Sequence, residues 1–382
     1  MRKIFALFRN PASYIDPLLQ MFAQKTELFV AFSVNKPHKE NSLAGVDHVF
    51  LKHAEQEKFR EGKDYEIIQK DVKQHIKQKN YELVFLATSY WSPTTWFALY
   101  EAKKKRLPVM TRMTAIVDKK RNIITQMIKK FVVTLYCSKM DAGIYECEEQ
   151  KKYMLKYGMS EDQLFFAPCA VNNDYFAAQK DKYSKALCRR GFGIDDDTLV
   201  IVFTGRLIQG KRPLDIFNAV KNLKDIGYKV SLFVLGGGTL ERELVTYVKS
   251  HFLDNEIILC GNVDHETMSK YLSAGDLYVL PSEYDASPKA LNEAMNFELP
   301  IVISDGIKNA KEMCEIGENG FVYSVGDVEA LTDCIRKFAD NRELVEKMGK
   351  KSREIVSRYS FDLVVETWLN AIEYCISKKE IN

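Results

Sequence analysis

Short apolar runs alternating with helical patterns along almost the whole chain predict an α/β protein of two Rossmann-like, doubly wound domains. Three observations carry that expectation. Runs of β type recur in both halves. In the second half each strand and its following helix together take about 25–30 residues, as a doubly wound unit requires. A charged stretch with no strand pattern, AAQKDKYSKALCRRGFGIDDD, separates the two series. At 382 residues the chain is long enough for two sizeable cores.

In the first series, Lys3–Phe8, Glu27–Val34, Asp47–Leu51, Glu82–Thr88, Leu107–Thr111 and Val132–Ser138 read as strands. Helical faces lie between them: Ile67, Ile68, Val72 and Ile76 share one, and Trp96, Leu99, Tyr100 and Ala102–Lys105 continue another. A helix is expected over Lys139–Tyr157, then a short run at Leu164–Pro168. In the second series, strands are expected at Leu199–Thr204, Val230–Leu235, Glu256–Leu259, Asp276–Leu280, Ile301–Ser304 and Gly320–Tyr323, with helices near 213–225, 239–251, 264–273, 288–297 and 327–339. These patterns divide the chain into domains at 1–176 and 177–359. The last stretch, from Ser360, spaces Phe361, Val364, Val365, Trp368, Leu369 and Ile372 three and four apart. It reads as a helix whose apolar face needs a partner; the second series already alternates strands and helices in full, so this helix is expected to pack back on the first domain.

Apolar residues at 46% and charged residues at 28% fit a globular protein. No run approaches a membrane span, and the amino terminus has too short an apolar core for a secretory signal, so a cytoplasmic location is expected. The eight cysteines form no C-x-x-C pair and meet no histidine cluster, which argues against a zinc site or a disulfide framework. Charge is uneven: residues 1–180 carry 29 basic and 20 acidic side chains, leaving 26 and 32 for the rest. Basic runs at Lys103–Arg106, Lys119–Arg121 and Lys129–Lys130, near Met127, Ile128 and Phe131, either dock on an anionic bilayer or form a solvated face. They accompany no nucleic-acid motif, so nucleic acid is not an expected partner.

The most informative stretch is DLYVLPSEYDASPKALNEAMNFELPIVISD, Asp276–Asp305. Two apolar β runs flank a loop and a helix, a βαβ unit whose loop opens at the carboxyl edge of a parallel sheet. Ser287-Pro288 marks the start of a helix running from Pro288 to about Phe297. Asp285 precedes it and Glu293 lies on its flank, while Lys289 in the first turn opposes the helix dipole unless an anion stands before it. The run Leu199–Thr204 exits into GRLIQGKRP, which sets Arg206 and Lys211 after Gly205 as two cations near a flexible strand exit. The glycine triplet Gly236–Gly238 lacks the spacing of a dinucleotide fingerprint and reads as a tight turn.

Together GRLIQGKRPLDIFNAV, VSLFVLGGGTLERELV and GNVDHETMSKYLSAGDLYVLPSEYDASPKALNEAMNFELPIVISD resemble the carboxyl-terminal half of family 4 retaining glycosyltransferases of the GT-B fold, whose two domains face each other across a cleft. The first half is similar only in its α/β outline and its PCAVNNDYF segment. The resemblance implies a metal-independent retaining hexosyltransferase with no cofactor and a nucleotide-diphosphate sugar as donor. Its acceptor would be a glycan or lipid-linked molecule in envelope or capsule polysaccharide assembly. Carried over residue by residue, Arg206 and Lys211 grip the diphosphate, Glu293 meets the ribose, and Asp285 meets the donor sugar where the family has Glu. Ser287 and Pro288 stand in the phosphate loop, Lys289 and Ala290 supply N–H groups to phosphate, and Asn262-Val263 forms the base-binding edge through main chain. Asn10, Ser13, Ser89, Tyr90, Trp91 and Arg112 are the acceptor-side candidates. A catalytically silent binding subunit and a sugar-nucleotide epimerase of the same fold are the alternatives.

Overall fold

The computed structural model describes residues 1–12, 14–35, 42–54, 59–60, 63–64, 68–113 and 122–381. Ser13, Ile67 and the basic run Lys119–Arg121 lie outside the described residues. The chain forms two compact units, Met1–Pro168 with Phe361–Asn382, and Cys169–Ser360.

In the first unit the elements run β1 Lys3–Phe8, α1 Asp16–Lys25, β2 Glu27–Phe32, β3 Asp47–Phe50, β4 Phe59–Arg60, β5 Lys63–Asp64, α2 Val72–Gln78, β6 Leu83–Ala87, α3 Pro93–Lys104, β7 Val109–Arg112, α4 Ile123–Cys137, β8 Ala142–Tyr145, α5 Glu148–Lys156 and β9 Leu164–Phe166. Strands β3-β2-β1-β6-β7-β8-β9 make one seven-stranded sheet, parallel throughout. Ile4–Phe8 are all buried, as a central parallel strand covered on both faces requires.

Two expectations in this unit are corrected. Val132–Ser138 is not a strand but the end of α4, because Lys129, Val133, Tyr136 and Cys137 lie on one helical face and are buried there. Lys139–Tyr157 is not one helix: β8 inserts as AGIY before α5. Gly143 in β8 leaves room for the side-chain ends of Leu164, Met154 and Met159, which a methyl there would make shift.

The second unit opens with α6 Asn173–Lys182 and α7 Lys185–Phe192, then runs β10 Leu199–Thr204, α8 Pro213–Asp225, β11 Val230–Leu235, α9 Glu241–Ser250, β12 Ile257–Gly261, α10 His265–Ala274, β13 Leu277–Leu280, α11 Lys289–Asn296, β14 Ile301–Ser304, α12 Ala310–Met313, β15 Gly320–Tyr323, α13 Val328–Asp340 and α14 Glu343–Ser357. Its six-stranded sheet is ordered β12-β11-β10-β13-β14-β15 and is parallel. The charged stretch expected to separate the domains forms α6 and α7 of this unit, so the division falls at Pro168 rather than at 176. Helix α14 was absent from the expected elements, although Val345, Met348, Ser352, Ile355 and Val356 mark its buried side.

Below the second sheet, at the head of β13, buried Asp276 accepts from Lys185 Nζ (2.6 Å), Arg342 (2.9 Å), Arg189 and the Val200 amide (2.8 Å). Burial alone would raise its carboxyl; Lys185, Arg189 and Arg342 outweigh that and hold it below the usual range.

The last helix, α15 Phe361–Ile381, lies on β6–β9 of the first unit beside α1. Trp368 is 1% exposed, with Phe22 and Phe85 edge-on at centroid distances of 5.3 and 5.1 Å. Thr367 Oγ1 donates to the Phe166 carbonyl, and Glu373 accepts from Arg2 at 2.7 Å. Trp368 Nε1 is buried without a hydrogen-bond partner. Trp368→Ala should therefore cost about 3–5 kcal/mol in chemical denaturation, and Trp368→Phe distinctly less, since it removes the orphaned N–H. Hydrogen exchange should show the loss in the first unit; equal losses for both variants would contradict this account of the site.

Candidate functional site

Strands β10 and β13 are neighbours in the second sheet although three helices and two strands separate them in sequence. The chain leaves them toward opposite flanks, which opens a crevice at their carboxyl ends. The loop after β10 carries Gly205–Arg212, and the loop after β13 carries Pro281–Pro288. The Glu283 amide joins them by donating to the Gly210 carbonyl at 2.9 Å.

That bond brings Lys211 to Asp285, with which it forms an ion pair; both side chains are about four-fifths buried, at 17% and 21% exposure. The second carboxylate oxygen of Asp285 accepts from the Ser287 amide at 3.2 Å. Its backbone is held as well: the Asp285 amide donates to the Gly306 carbonyl, and the Asp285 carbonyl accepts from the Lys308 amide. Gly306 must lack a side chain, because a methyl would strike the Ser282 and Glu283 carbonyls. Asp285 is thus placed by four contacts, which limits its reach more than chain length alone does.

Helix α11 begins at Lys289, with extended Pro288 as its cap. The expected Ser287 cap is corrected: the first turn receives no side-chain cap, and the Ser287 hydroxyl accepts from Asn309 Nδ2 at 3.2 Å. Pro288 is buried, while Lys289 and Ala290 are half-buried in the first turn. Behind the helix, Asn292 Nδ2 donates to the Cys169 carbonyl and Asn296 Nδ2 to Asn173 Oδ1, each at 2.8 Å. Asn173 in turn donates to the Val356 and Tyr359 carbonyls. Asn292, Asn296, Asn173 and Asn309 were missed as supports. Two asparagines four apart on the apolar side of α11 were the available signal, since buried amides need partners.

Glu293 stands on the open flank of α11, and burial raises its carboxyl to about 7 against the opposing pull of Lys289 one turn back. Beneath it, the buried Tyr278 hydroxyl lies 3.0 Å from Thr204 Oγ1. Arg206 is exposed at the exit of β10.

The glycine triplet does more than turn the chain. Methyl groups at Gly236 and Gly238 would land on the Gly205 and Leu207 carbonyls. The Leu207 amide donates to Gly237, and the Leu240 amide donates back to Leu207, both at 3.0 Å. The triplet therefore sets the height of the cationic loop. Asn262 sits across from Gly237, and Val263 packs on the core one residue before Asp264, which caps α10 by accepting from Thr267. The structure thus gathers Gly205, Arg206, Lys211, Asn262, Val263, Asp285, Ser287, Pro288, Lys289, Ala290 and Glu293 at one edge of one sheet.

In the first unit, the loops after the neighbouring strands β1 and β6 hold Asn10, Ser89, Tyr90 and Trp91. Asn10 is half-buried and Trp91 exposed, and Ser89 Oγ accepts from the Trp91 amide. Tyr90 is buried, its hydroxyl 3.0 Å from that of Tyr153, so it supports the loop from below. Arg112 is occupied by Glu146, to which Nε donates at 2.7 Å. Among the described residues no group of three or more His, Cys, Asp or Glu side chains is gathered as a metal site.

Residues 184–355 match the family model of the glycosyl transferases group 1. The alpha-D-kanosaminyltransferase of Streptomyces kanamyceticus is 24% identical over 189 residues, 49% of this chain and 48% of that protein. The capsular polysaccharide biosynthesis glycosyltransferase CapM of Staphylococcus aureus is 24% identical over 71% of this chain and 63% of its own. The matched part of the chain thus spans about half to less than two thirds of these relatives' length. Among solved structures, Anabaena HepE in complex with UDP superposes with a TM-score of 0.78 at 13% identity, over 97% of this chain and 99% of that one. That likeness is one of fold, the two-unit α/β arrangement of the GT-B class.

Two outcomes follow from this geometry. Gly236→Ala and Gly238→Ala should each destabilise the protein by about 1–3 kcal/mol, whereas Gly210→Ala, with open space around it, should leave the denaturation midpoint unchanged. For Glu293 the folded-state pKa of about 7 lies above the unfolded value. Its contribution to stability is therefore complete below the unfolded pKa and lost as pH rises through about 7. Relative to Glu293→Gln, the wild-type melting temperature should fall between about pH 4.5 and 7; parallel profiles would rule out the raised carboxyl.

Proposed function

We propose that this chain, whose residues 184–355 form a glycosyl transferases group 1 domain, transfers a sugar from a nucleotide-diphosphate sugar to a glycan or lipid-linked acceptor in the assembly of a polysaccharide. The observation that carries this reading is the gathering of Arg206, Lys211 and the first turn of α11 around the crevice between β10 and β13. Two cations and a helix head suit a diphosphate. Support for the reaction class comes from the names of the two transferase relatives, and for a uridine nucleotide from the UDP in HepE.

In this proposal the diphosphate competes with Asp285 for Lys211. The displaced carboxylate turns to the hydroxyls of the donor sugar, while the Lys289 and Ala290 amides and Arg206 take the remaining phosphate oxygens. Glu293 accepts from the ribose, and main chain at Asn262-Val263 meets the base. The transfer is retaining: the bond from the anomeric carbon to the phosphate oxygen breaks, and the acceptor oxygen bonds to that carbon on the same face. Its proton passes to the departing phosphate oxygen. Charge grows on the diphosphate as this happens, and fixed cations lower the barrier by meeting it. No metal is needed in this scheme, so EDTA should leave turnover unchanged.

Lys211→Ala and Arg206→Ala should each lower kcat/KM by about tenfold to over a hundredfold, the worth of one charge-assisted contact of roughly 1.5–3 kcal/mol, with folding intact. Wild-type turnover in both would reject the phosphate role. Calorimetry supplies a second check. Hydrogen bonds from the ribose favour ionised Glu293, so binding of UDP near pH 7 should release part of a proton, seen as a heat that changes with buffer ionisation enthalpy. Glu293→Gln should abolish that dependence. Asp285→Ala should weaken the intact donor and spare UDP; equal losses of both ligands would refute the division of roles. A purified chain that binds the donor but neither hydrolyses nor transfers it would favour the silent-subunit alternative.

A further inference from the structure

Helix α4 is inverted with respect to the usual amphipathic pattern. The side it turns to the first unit holds Lys129, Val133, Tyr136 and Cys137, with Lys129 Nζ over the Tyr153 ring at 5.3 Å. The side it turns to solvent holds Ile123, Ile124, Met127, Ile128, Phe131 and Leu135, which are 37–76% exposed. Their spacing of three and four residues puts all six on one stripe along the helix. Six large apolar side chains so arranged form a contiguous patch of the kind that marks an interaction surface.

Charge identifies the occupant. From Asn122 to Met140 the chain holds Lys129, Lys130 and Lys139 and no acidic residue, and Lys119, Lys120 and Arg121 directly precede it in sequence. The next acid downstream, Asp141, is already neutralised by Lys103 Nζ at 2.7 Å. Lys130 and Lys139 are exposed. A patch that is apolar at its centre and cationic at its margin complements an anionic lipid surface, where the apolar stripe sinks below the headgroups and the lysines reach phosphate. Against a second copy of itself the same stripe would set like charges together. At about 1.5 Å per residue the helix spans only about 22 Å, and among the described residues no helix is long and apolar enough to cross a membrane. A helix of that length can lie in the plane of the interface but is too short to cross the bilayer.

We infer that α4 docks this protein on an anionic bilayer through Ile123, Ile124, Met127, Ile128, Phe131 and Leu135, with Lys130 and Lys139 contacting the headgroups. Helix α4 belongs to the first unit and shares no residue with the nucleotide site of the second, so its test is separate from that of the transferase reading. Full-length protein is sedimented with vesicles of phosphatidylcholine alone or with added phosphatidylglycerol. Binding to the anionic vesicles that weakens as salt is raised is expected. The triple variant Ile124→Gln, Ile128→Gln, Phe131→Gln should lower that partition at least tenfold without moving the thermal midpoint or the stabilisation by UDP, because the three side chains are exposed. Lys130→Gln and Lys139→Gln should each lower it about fivefold. A wild-type chain that ignores both vesicles, or a triple variant that binds as well as wild type, overturns the inference. So does a wild-type dimer in sedimentation equilibrium that the triple variant dissolves, since the stripe would then be covered by a second copy.

Discussion

The hydrogen bond from the Glu283 amide to the Gly210 carbonyl closes the two loops that leave β10 and β13 in opposite directions. Without it the crevice at the switch point of the sheet would have two independent walls. With it, a cation from one loop and a carboxylate from the other share one position, as the Lys211–Asp285 pair shows. Glycine lets backbone approach backbone beside both loops: Gly236 and Gly238 against Gly205 and Leu207 of the first, and Gly306 against Ser282 and Glu283 of the second. Backbone contacts between segments distant in sequence therefore decide site geometry here, and the side chains follow.

The ionisable groups at this edge are held in opposite ways. Asp285 is satisfied, with Lys211 on one oxygen and the Ser287 amide on the other. Glu293 is pushed toward neutrality by burial, with only Lys289 to oppose it. Glu293 is half-buried, and a partly desolvated carboxyl is costly when ionised, so a ligand that offers donors gains from the relief of that cost. At the opposite end of the sheet, Asp276 has the reverse environment, with three cations around one carboxylate. Removing one partner there would leave buried charge uncompensated, which makes Asp276 a structural group.

The first unit shows the same economy in apolar surface. Its sheet would be bare beside α1 without α15, whose Trp368 fills the space between Phe22 and Phe85. The chain thus returns from the end of the second unit to complete the core of the first. Helix α4 departs from that economy by leaving its apolar stripe uncovered.

Much of the second unit was legible in the sequence. Its six strands are β-branched, apolar and four to six residues long, and all but β14, which leads into the four-residue α12, are followed by a helix that its apolar spacing marks. The site residues were legible as types at strand exits, because a doubly wound sheet can only place such loops at its carboxyl edge. What composition and spacing could not decide was partnership. Val132-Val133-Thr134 reads as β by local preference and is helical because Val133 and Tyr136 find a buried face. The stripe of α15 announces a need for cover, and the first unit was its expected partner, but the sequence does not show that β6–β9 and α1 are the elements it meets. Nor does sequence show that Lys211 meets Asp285, or that Glu293 loses enough water to titrate near neutrality. Those facts depend on long-range packing: strand order, glycine approach and burial bring together residues 74 positions apart, and only the folded chain sets their distances.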